Sequence, residues 1–273
     1  MASVIDAHVH LGLEYVDGDC SKFLIKTGFD RGLSPSTVKI SSEDIELEKI
    51  VLVPSFPCGN SYFTDSFYHQ REWLEGFEDK FLQYGTINPR FEGDVVEELS
   101  NQYSLGIVGI KIHPVHHFYY ANEYRPEEGG LRNLEKIYQF AEDFHLPILI
   151  HTGTSVVPNA RNKYADPIFV DDPAKDFKIN IILAHSGRPI WTNTAFYMAK
   201  KFKNIYLEIS SIPPHRLKEY FPRLDEIKHK VIYGSDYPNF MGETLIEDAF
   251  SVIQSIGYNK GVMRENFLKI ANL

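Results

Sequence analysis

The amino-acid sequence predicts an α/β fold, a single (β/α)8 TIM barrel, and three observations support this prediction. The chain has 273 residues, close to the roughly 250 residues of a typical barrel of this kind. Short apolar runs alternate with longer segments of helical pattern, which is typical of repeated βα units around a parallel sheet. No repeat, low-complexity tract or change of composition divides residues 1–273, so one domain is expected.

Eight of the apolar runs are too short for buried helices and are flanked by turn or loop residues, which is typical of strands. They are residues 4–7, 50–53, 82–87, 108–112, 148–150, 181–184, 205–207 and 231–233. Apolar residues recur at helical spacing over residues 131–144 and 245–253, which predicts an amphipathic helix after the fourth strand and another after the eighth.

Two connections are long for a compact domain, residues 11–49 after the first strand and residues 113–130 after the fourth. Long loops often form lids or binding loops. We therefore expect both segments to cover the functional site.

The charge balance disfavours several classes of partner. Lys and Arg total 28 and Asp and Glu total 37, a formal net charge of −9, which works against binding to nucleic acid or anionic membranes. No apolar stretch approaches the roughly 18–20 residues of a membrane span, and the first residues lack the pattern of a secretory signal. The sequence predicts a cytoplasmic protein with a small-molecule substrate, in which Cys20 and Cys58 are free thiols.

Potential metal ligands stand where several predicted strands end. His8 and His10 follow the first strand and, because side chains alternate along a strand, they share a face. Alone, this pair is better explained as two histidines with ordinary hydrogen bonds. However, His151, His185 and Asp236 end three further runs, and the carboxyl ends of parallel barrel strands share one rim. The sequence therefore predicts that all five side chains meet at a metal site.

Five short motifs in this order resemble the amidohydrolase superfamily, in particular the branch related to aminocarboxymuconate-semialdehyde decarboxylase. The motifs are DAHVH (6–10), GIKIHP (109–114), IHTG (150–153), AHSG (184–187) and GSDYP (234–238). The resemblance spans the whole chain and implies a barrel enzyme with a divalent metal at the carboxyl ends of the strands.

Carried over to this sequence, the resemblance implies that His8, His10 and His151 bind the metal through imidazole and that Asp236 is a ligand that also moves protons. His185 becomes a catalytic group that polarises the substrate or supports the ligands. Imidazole and carboxylate suit zinc or manganese. One divalent ion is expected, zinc first and manganese as the alternative.

Lys111 has three competing interpretations. It is a carboxylated lysine bridging two metals, a group that binds a substrate carboxylate or transfers a proton, or a buried lysine paired with Glu208. The resemblance favours one metal without a carboxylated lysine, which leaves Lys111 as a substrate-binding residue.

Residues beyond the strand ends are candidates for substrate binding. Arg188 can hold a substrate carboxylate through a bidentate pair, although an ordinary surface arginine explains it about as well. His113 joins the substrate-binding set, whereas His116 and His117 are expected to support the site rather than bind the metal.

The leading functional hypothesis is a metal-dependent hydrolase or non-oxidative decarboxylase that uses metal-activated water, an Asp proton shuttle and a small, carboxylate-bearing substrate. The first alternative is a binuclear phosphodiesterase or deoxyribonuclease of the related barrel type, against which the acidic charge balance argues. The second is a non-catalytic metal-binding barrel, because fold alone does not establish activity. A homodimer is the expected assembly if the protein is oligomeric.

Overall fold

The strands of the protein run parallel and follow chain order. The computed structural model describes residues 1–12, 22, 26, 38–39, 41–55, 64–238 and 244–273. The strands within these residues are β1 (Ala2–Val9), β2 (Ile45–Leu52), β3 (Phe81–Gln83), β4 (Gly85–Thr86), β5 (Ile110–Ile112), β6 (Ile148–His151), β7 (Ile181–Ala184), β8 (Ile205–Glu208) and β9 (Val231–Ile232). They form two parallel sheets, β1-β2-β3 and β4-β5-β6-β7-β8-β9.

Backbone hydrogen bonds join the two sheets into one ring. Only Tyr84 separates β3 from β4, so these two short strands occupy one strand position of the ring. At the other junction, the Ala7 N–H donates to Tyr233 O at 3.2 Å and the Asp236 N–H donates to His8 O at 2.8 Å. The strand that ends at Ile232 therefore lies beside β1, and the predicted barrel class is confirmed.

Helices follow the strands, as βα units require. Within the described residues they are α1 (Thr64–Trp73), α2 (Val95–Ser104), α3 (Pro114–His117), α4 (Arg132–Asp143), α5 (Asp171–Asp176), α6 (Thr192–Lys201), α7 (Leu217–Tyr220), α8 (Leu245–Ile256) and α9 (Asn266–Ala271). Helices α4 and α8 confirm the two predicted from apolar spacing. None of the helices in the described part of the chain combines the length and apolar composition needed to cross a membrane.

Alternation along the strands divides the core into two layers. In β6, Ile148 and Ile150 pack in the larger cluster, which contains most of the buried helix residues. Leu149 packs in a separate cluster inside the barrel. Phe267 and Ile270 of α9 belong to this inner cluster. The barrel interior is therefore filled with apolar side chains below the site, and polar groups collect at the carboxyl ends of the strands.

The two long connections differ in how much of them is described. Residues 13–21, 23–25, 27–37 and 40 of the first lie outside the described residues, as do Cys20 and Cys58. The second contains α3 and a 3₁₀ turn at Pro126–Glu128. Pro114 is the first residue of α3, where its missing N–H and fixed φ fit a helix start.

Candidate active site

His8 and His10, at the end of β1, are each held through Nδ1. His8 Nδ1 lies 3.0 Å from Glu208 Oε2, and His10 Nδ1 lies 2.8 Å from Val53 O. Because carboxylate and carbonyl oxygens only accept, both Nδ1 atoms carry a proton. Burial lowers the pKa of His8, and in its neutral ring Nε2 keeps the lone pair. The pairing of β1 with β2 changes register between Asp6 and Val9, an irregularity of the kind that re-aims side chains beside active sites.

Asp236 faces both of these imidazoles. Its Oδ1 lies 3.6 Å from His8 Nε2 and 3.2 Å from His10 Nε2, and its Oδ2 accepts a hydrogen bond from the Ser211 hydroxyl. Burial alone raises the pKa of Asp236, but the hydrogen bond with His10 and the neighbouring His8 and His10 rings outweigh it and hold the pKa below its ordinary value. Asp236 is therefore an ionised carboxylate at neutral pH.

His185 follows β7 and is linked to Glu208 through Ser210. The Ser210 hydroxyl donates to Glu208 Oε2 at 2.7 Å, and His185 Nδ1 lies 2.8 Å from Ser210 Oγ. Since the single serine proton is already donated to the carboxylate, His185 Nδ1 must donate and Nε2 holds the lone pair. His185 is thus a ligand or a proton acceptor when it is neutral.

His151, at the end of β6, lies beside His185, with ring centroids 4.6 Å apart. Its side chain is buried, and no described group hydrogen-bonds to its Nε2. Burial lowers the pKa of both His151 and His185 well below the ordinary value. Both rings are therefore neutral, the form that binds metal ions.

Within the described part of the chain, two groups of three residues have ligand atoms within 4.8 Å of one another. One group is His8, His185 and Asp236, and the other is His113, His116 and His151. The structure thus brings together all five residues predicted from the strand ends, but it places His151 with the histidines after β5. The assignment of His8, His10, His151 and Asp236 as the metal ligands stays a prediction.

The chemistry of these groups fits a divalent metal ion. His8 Nε2 and His151 Nε2 are buried nitrogen atoms without a hydrogen-bond partner among the described residues. A buried polar group without a partner is costly, and a cation would satisfy both lone pairs. Neutral imidazoles and an ionised carboxylate are ligands of zinc and manganese.

Lys111, on β5, is fully buried, and its Nζ has no hydrogen-bond partner among the described residues. Burial lowers its pKa from 10.5 to about 8, and the charges of Glu208 and Asp236 oppose the change. The described residues contain no ion pair between Lys111 and Glu208, and Glu208 contacts His8 instead. A direct contact between Lys111 and Glu208 is therefore not observed among the described residues, although the charge of Glu208 raises the pKa of Lys111.

Arg188 and His113 also line the cavity around the metal ligands. Arg188 Nη1 donates to Thr154 O at 2.7 Å, while its Nε has no described partner. Burial lowers the pKa of Arg188, so this is not an ordinary surface arginine. His113 Nε2 lies 3.3 Å from Pro54 O.

The cavity has a volume of about 380 Å³ and is lined by both apolar and polar side chains. Apolar lining residues include Val156, Val157, Pro189, Pro213 and Tyr220. The volume lies at the small end of the range of small-molecule sites, about 300–1,000 Å³. The site therefore suits a compact substrate.

Sequence reasoning missed the part played by Glu208, Ser210 and Ser211. Glu208 is the last residue of β8, so the rule that located the other strand-end residues would have found it. The two serines follow in the next loop, and the sequence carries no comparable signal for their hydrogen bonds.

A family model described as amidohydrolase matches residues 65–257. The chain belongs to the amidohydrolase family. This confirms the resemblance drawn from the five motifs and makes the protein an enzyme of the hydrolase or carboxy-lyase type. A comparison with curated protein sequences finds no significant match.

Solved structures share the fold at low sequence identity. A TIM-barrel protein from Bordetella bronchiseptica has 17% identity and a TM-score of 0.69, with 99% of this chain and 100% of that chain covered. The 5-carboxyvanillate decarboxylase of Sphingomonas paucimobilis has 14% identity and a TM-score of 0.64, with both chains fully covered at 100%. The dihydroorotase of Campylobacter jejuni has 18% identity and a TM-score of 0.60, with 100% of this chain and 84% of that chain covered. These similarities support the barrel assignment.

Proposed function

We propose that this amidohydrolase hydrolyses or decarboxylates a small, carboxylate-bearing molecule with the help of one divalent metal ion, zinc or alternatively manganese. The proposed ligands are His8, His10, His151 and Asp236. The observation that carries the proposal is that these residues share one cavity of about 380 Å³ with the cationic side chains Lys111 and Arg188. Ligands and cations would thus act on the same bound molecule.

When bound, a divalent ion lowers the pKa of a ligated water toward about 7 and polarises a substrate oxygen. Asp236 is the proposed proton carrier, since its carboxylate is ionised and lies beside both His8 and His10. In hydrolysis, Asp236 accepts a proton from the attacking water and returns it to the leaving group. In decarboxylation, Asp236 accepts a proton from water and passes it to the carbon whose bond to the departing carbon dioxide breaks, and the hydroxide that remains combines with the carbon dioxide to give bicarbonate.

His185 has a complementary catalytic role. Its Nδ1–H is directed to Ser210 Oγ at 2.8 Å, so its Nε2 is free to accept a proton. Once protonated, the ring stabilises negative charge that develops on a substrate oxygen. This role requires the neutral starting form, which burial of His185 favours.

Substrate recognition rests on Lys111 and Arg188. Each has a nitrogen, Nζ or Nε, without a hydrogen-bond partner among the described residues, and buried donors without partners are costly. A carboxylate would satisfy both donors through charge-assisted hydrogen bonds. His113, which also lines the cavity, completes the proposed substrate-binding set.

Elemental analysis of the purified protein by mass spectrometry tests the metal assignment. We expect about one zinc or manganese ion per chain in the wild type and a clear loss in His8→Ala. His229→Ala, which changes an exposed histidine that does not line the cavity, is the control and should keep the wild-type metal content. Full metal content in His8→Ala would contradict the assignment.

A substrate screen tests the reaction. Carboxylated aromatic compounds and lactones are incubated with the metal-loaded enzyme, and the release of carbon dioxide is measured separately from the release of hydrolysis products. We expect Asp236→Asn to remain folded, by circular dichroism, and to lose turnover of any substrate that the wild type converts. Full turnover by this variant would remove Asp236 from the role of proton carrier.

A further inference from the structure

A second group of imidazoles lies within the cavity. His113 follows β5, His116 lies in α3, and His151 ends β6. Their ring centroids are 5.4–6.3 Å apart, and one ligand nitrogen of each lies within 4.8 Å of the others. All three line the same cavity as the ligands around Asp236.

The protonation states of these rings suit metal binding. His113 Nε2 lies 3.3 Å from Pro54 O, a carbonyl that only accepts, so Nε2 carries the proton and Nδ1 keeps the lone pair. Outward donation to a backbone carbonyl is the usual arrangement of a metal-binding histidine. His151 is buried and presents an Nε2 that has no hydrogen-bond partner among the described residues.

We propose that His113, His116 and His151 form a second, weaker site for a divalent cation such as zinc or cobalt. This inference rests on the proposed function, since the first ion occupies the same cavity. In the state with two ions, His151 belongs to the second site. His185, which lies with His8 and Asp236, takes its place at the first.

The ligand set determines which ions bind. Three imidazoles and one open position make a tetrahedral site of the catalytic type, in which metal–nitrogen bonds are about 2.0–2.1 Å long. Ligand separations of up to 4.8 Å therefore need a contraction of up to about 1.4 Å to reach the nitrogen spacing of a tetrahedral site. Manganese and magnesium prefer carboxylate, carbonyl and water ligands and are expected at the first site only.

The second site is expected to be the weaker one, because its three ligands are neutral imidazoles, whereas the first site includes the carboxylate of Asp236. Lys111 lines the same cavity and, when protonated, repels a cation at either site. Lys111 also provides the competing explanation of a second ion, since a carboxylated lysine would bridge two metals. The two arrangements differ in which substitution removes the second ion. A carboxylated lysine predicts its loss on changing Lys111, whereas the three-histidine site predicts its loss on changing His116.

Equilibrium dialysis of the metal-loaded enzyme against excess Zn²⁺, Co²⁺ or Mn²⁺ tests the proposal. We expect two ions per chain with Zn²⁺ and Co²⁺ but one with Mn²⁺. In His116→Ala the ratio with Zn²⁺ and Co²⁺ should fall to one, with retention of the first ion. His229→Ala is the matched control for binding at exposed histidines and should keep both ions, as should Lys111→Met.

Four results would overturn the proposal. A ratio of one at saturating Zn²⁺ and Co²⁺ would show that the three histidines bind no second ion, while the first site and the proposed function would be unaffected. Loss of the second ion in Lys111→Met would indicate a carboxylated lysine. Retention of the second ion in His116→Ala, or its loss in His229→Ala, would place it elsewhere on the protein. If the wild type binds no ion in the dialysis against Mn²⁺, this result would instead contradict the first site and with it the proposed function.

Discussion

Glu208→Gln is expected to weaken metal binding although Glu208 is not itself a proposed ligand. The carboxylate accepts four hydrogen bonds, from His8 Nδ1 at 3.0 Å, Ser210 Oγ at 2.7 Å, Ser210 N at 2.6 Å and His185 N at 3.3 Å. It thereby sets the ring tautomer of His8 directly and that of His185 through Ser210. Glutamine has nearly the same shape but replaces one accepting oxygen with a donating NH₂ group.

Both orientations of the new amide oppose a donor. If the NH₂ group replaces Oε2, it faces His8 Nδ1–H and the Ser210 hydroxyl, and if it replaces Oε1, it faces the Ser210 N–H. Hydrogen bonds to charged groups contribute about 1.5–3 kcal/mol each. Loss of a partner that orients a metal-binding histidine usually lowers metal affinity by about 10–100-fold, or about 1.4–2.7 kcal/mol. We expect a decrease in this range.

Competition with a chromogenic chelator measures the dissociation constant of the first ion in the wild type and in Glu208→Gln. Glu226→Gln, which removes an exposed carboxylate paired with Arg223 and Lys200, is the control for loss of one negative charge. An unchanged dissociation constant in Glu208→Gln, with the protein folded, would refute the argument that Glu208 orients His8. Equal weakening in both variants would attribute the effect to net charge alone.

Three further predictions concern stability. Lys111→Met should raise the free energy of unfolding at pH 7 by about 3 kcal/mol, because burial lowers the pKa of Lys111 from 10.5 to about 8 and each pKa unit corresponds to ~1.4 kcal/mol. The gain should shrink as the pH rises from 8 to 10.5, because Lys111 is then neutral in the folded wild type but still protonated in the unfolded chain. A gain that stays constant over this pH range in urea titrations would contradict the prediction. Glu48→Gln removes a mostly exposed pair with Arg264, which holds the pKa of Glu48 at about 2. It should cost up to about 1 kcal/mol at pH 7, and the difference from the wild type should vanish in unfolding measurements as the pH falls from 4.5 toward 2. Asp94→Ala removes the side chain that caps α2 through Val96 N and Glu97 N and should cost about 1 kcal/mol by thermal unfolding, whereas Asp94→Asn should cost much less.

The positions of the site residues along the strands followed from the sequence because the rule behind them is local. An apolar run that stops at a ligand-type residue marks the carboxyl end of a buried strand, and His151 and His185 both stand there. The same rule applies to Glu208, which is the last residue of β8. The rule does not predict the partner of the Glu208 carboxylate, because that partner depends on distances across the barrel. In the structure, His8 Nδ1 lies 3.0 Å from Glu208 Oε2.

The sequence could not predict that the histidines form two groups, and the reason is physical. His116 reaches His151 because α3 begins with Pro114, two residues after the end of β5, and is followed by Phe118, whose φ is 62°. A change of one residue in this short helix would turn His116 by about 100°. Strand alternation, the principle used for His8 and His10, gives no information about such a turn.

Backbone conformation links the stability of the site to its function. His185, Ser186, Ser211 and Asp236 have φ values of 60°, 47°, 56° and 62°, in the left-handed region that costs a residue with a Cβ atom about 1–2 kcal/mol. Such conformations persist only where surrounding contacts hold them. Here Ser186 Oγ donates to Glu208 O at 2.8 Å, Asp236 N donates to His8 O at 2.8 Å, and the Ser211 hydroxyl donates to Asp236 Oδ2. Each bond joins a strained residue to another part of the site, so these contacts offset part of the strain. The backbone at the site is therefore held in place by contacts between the site's own residues.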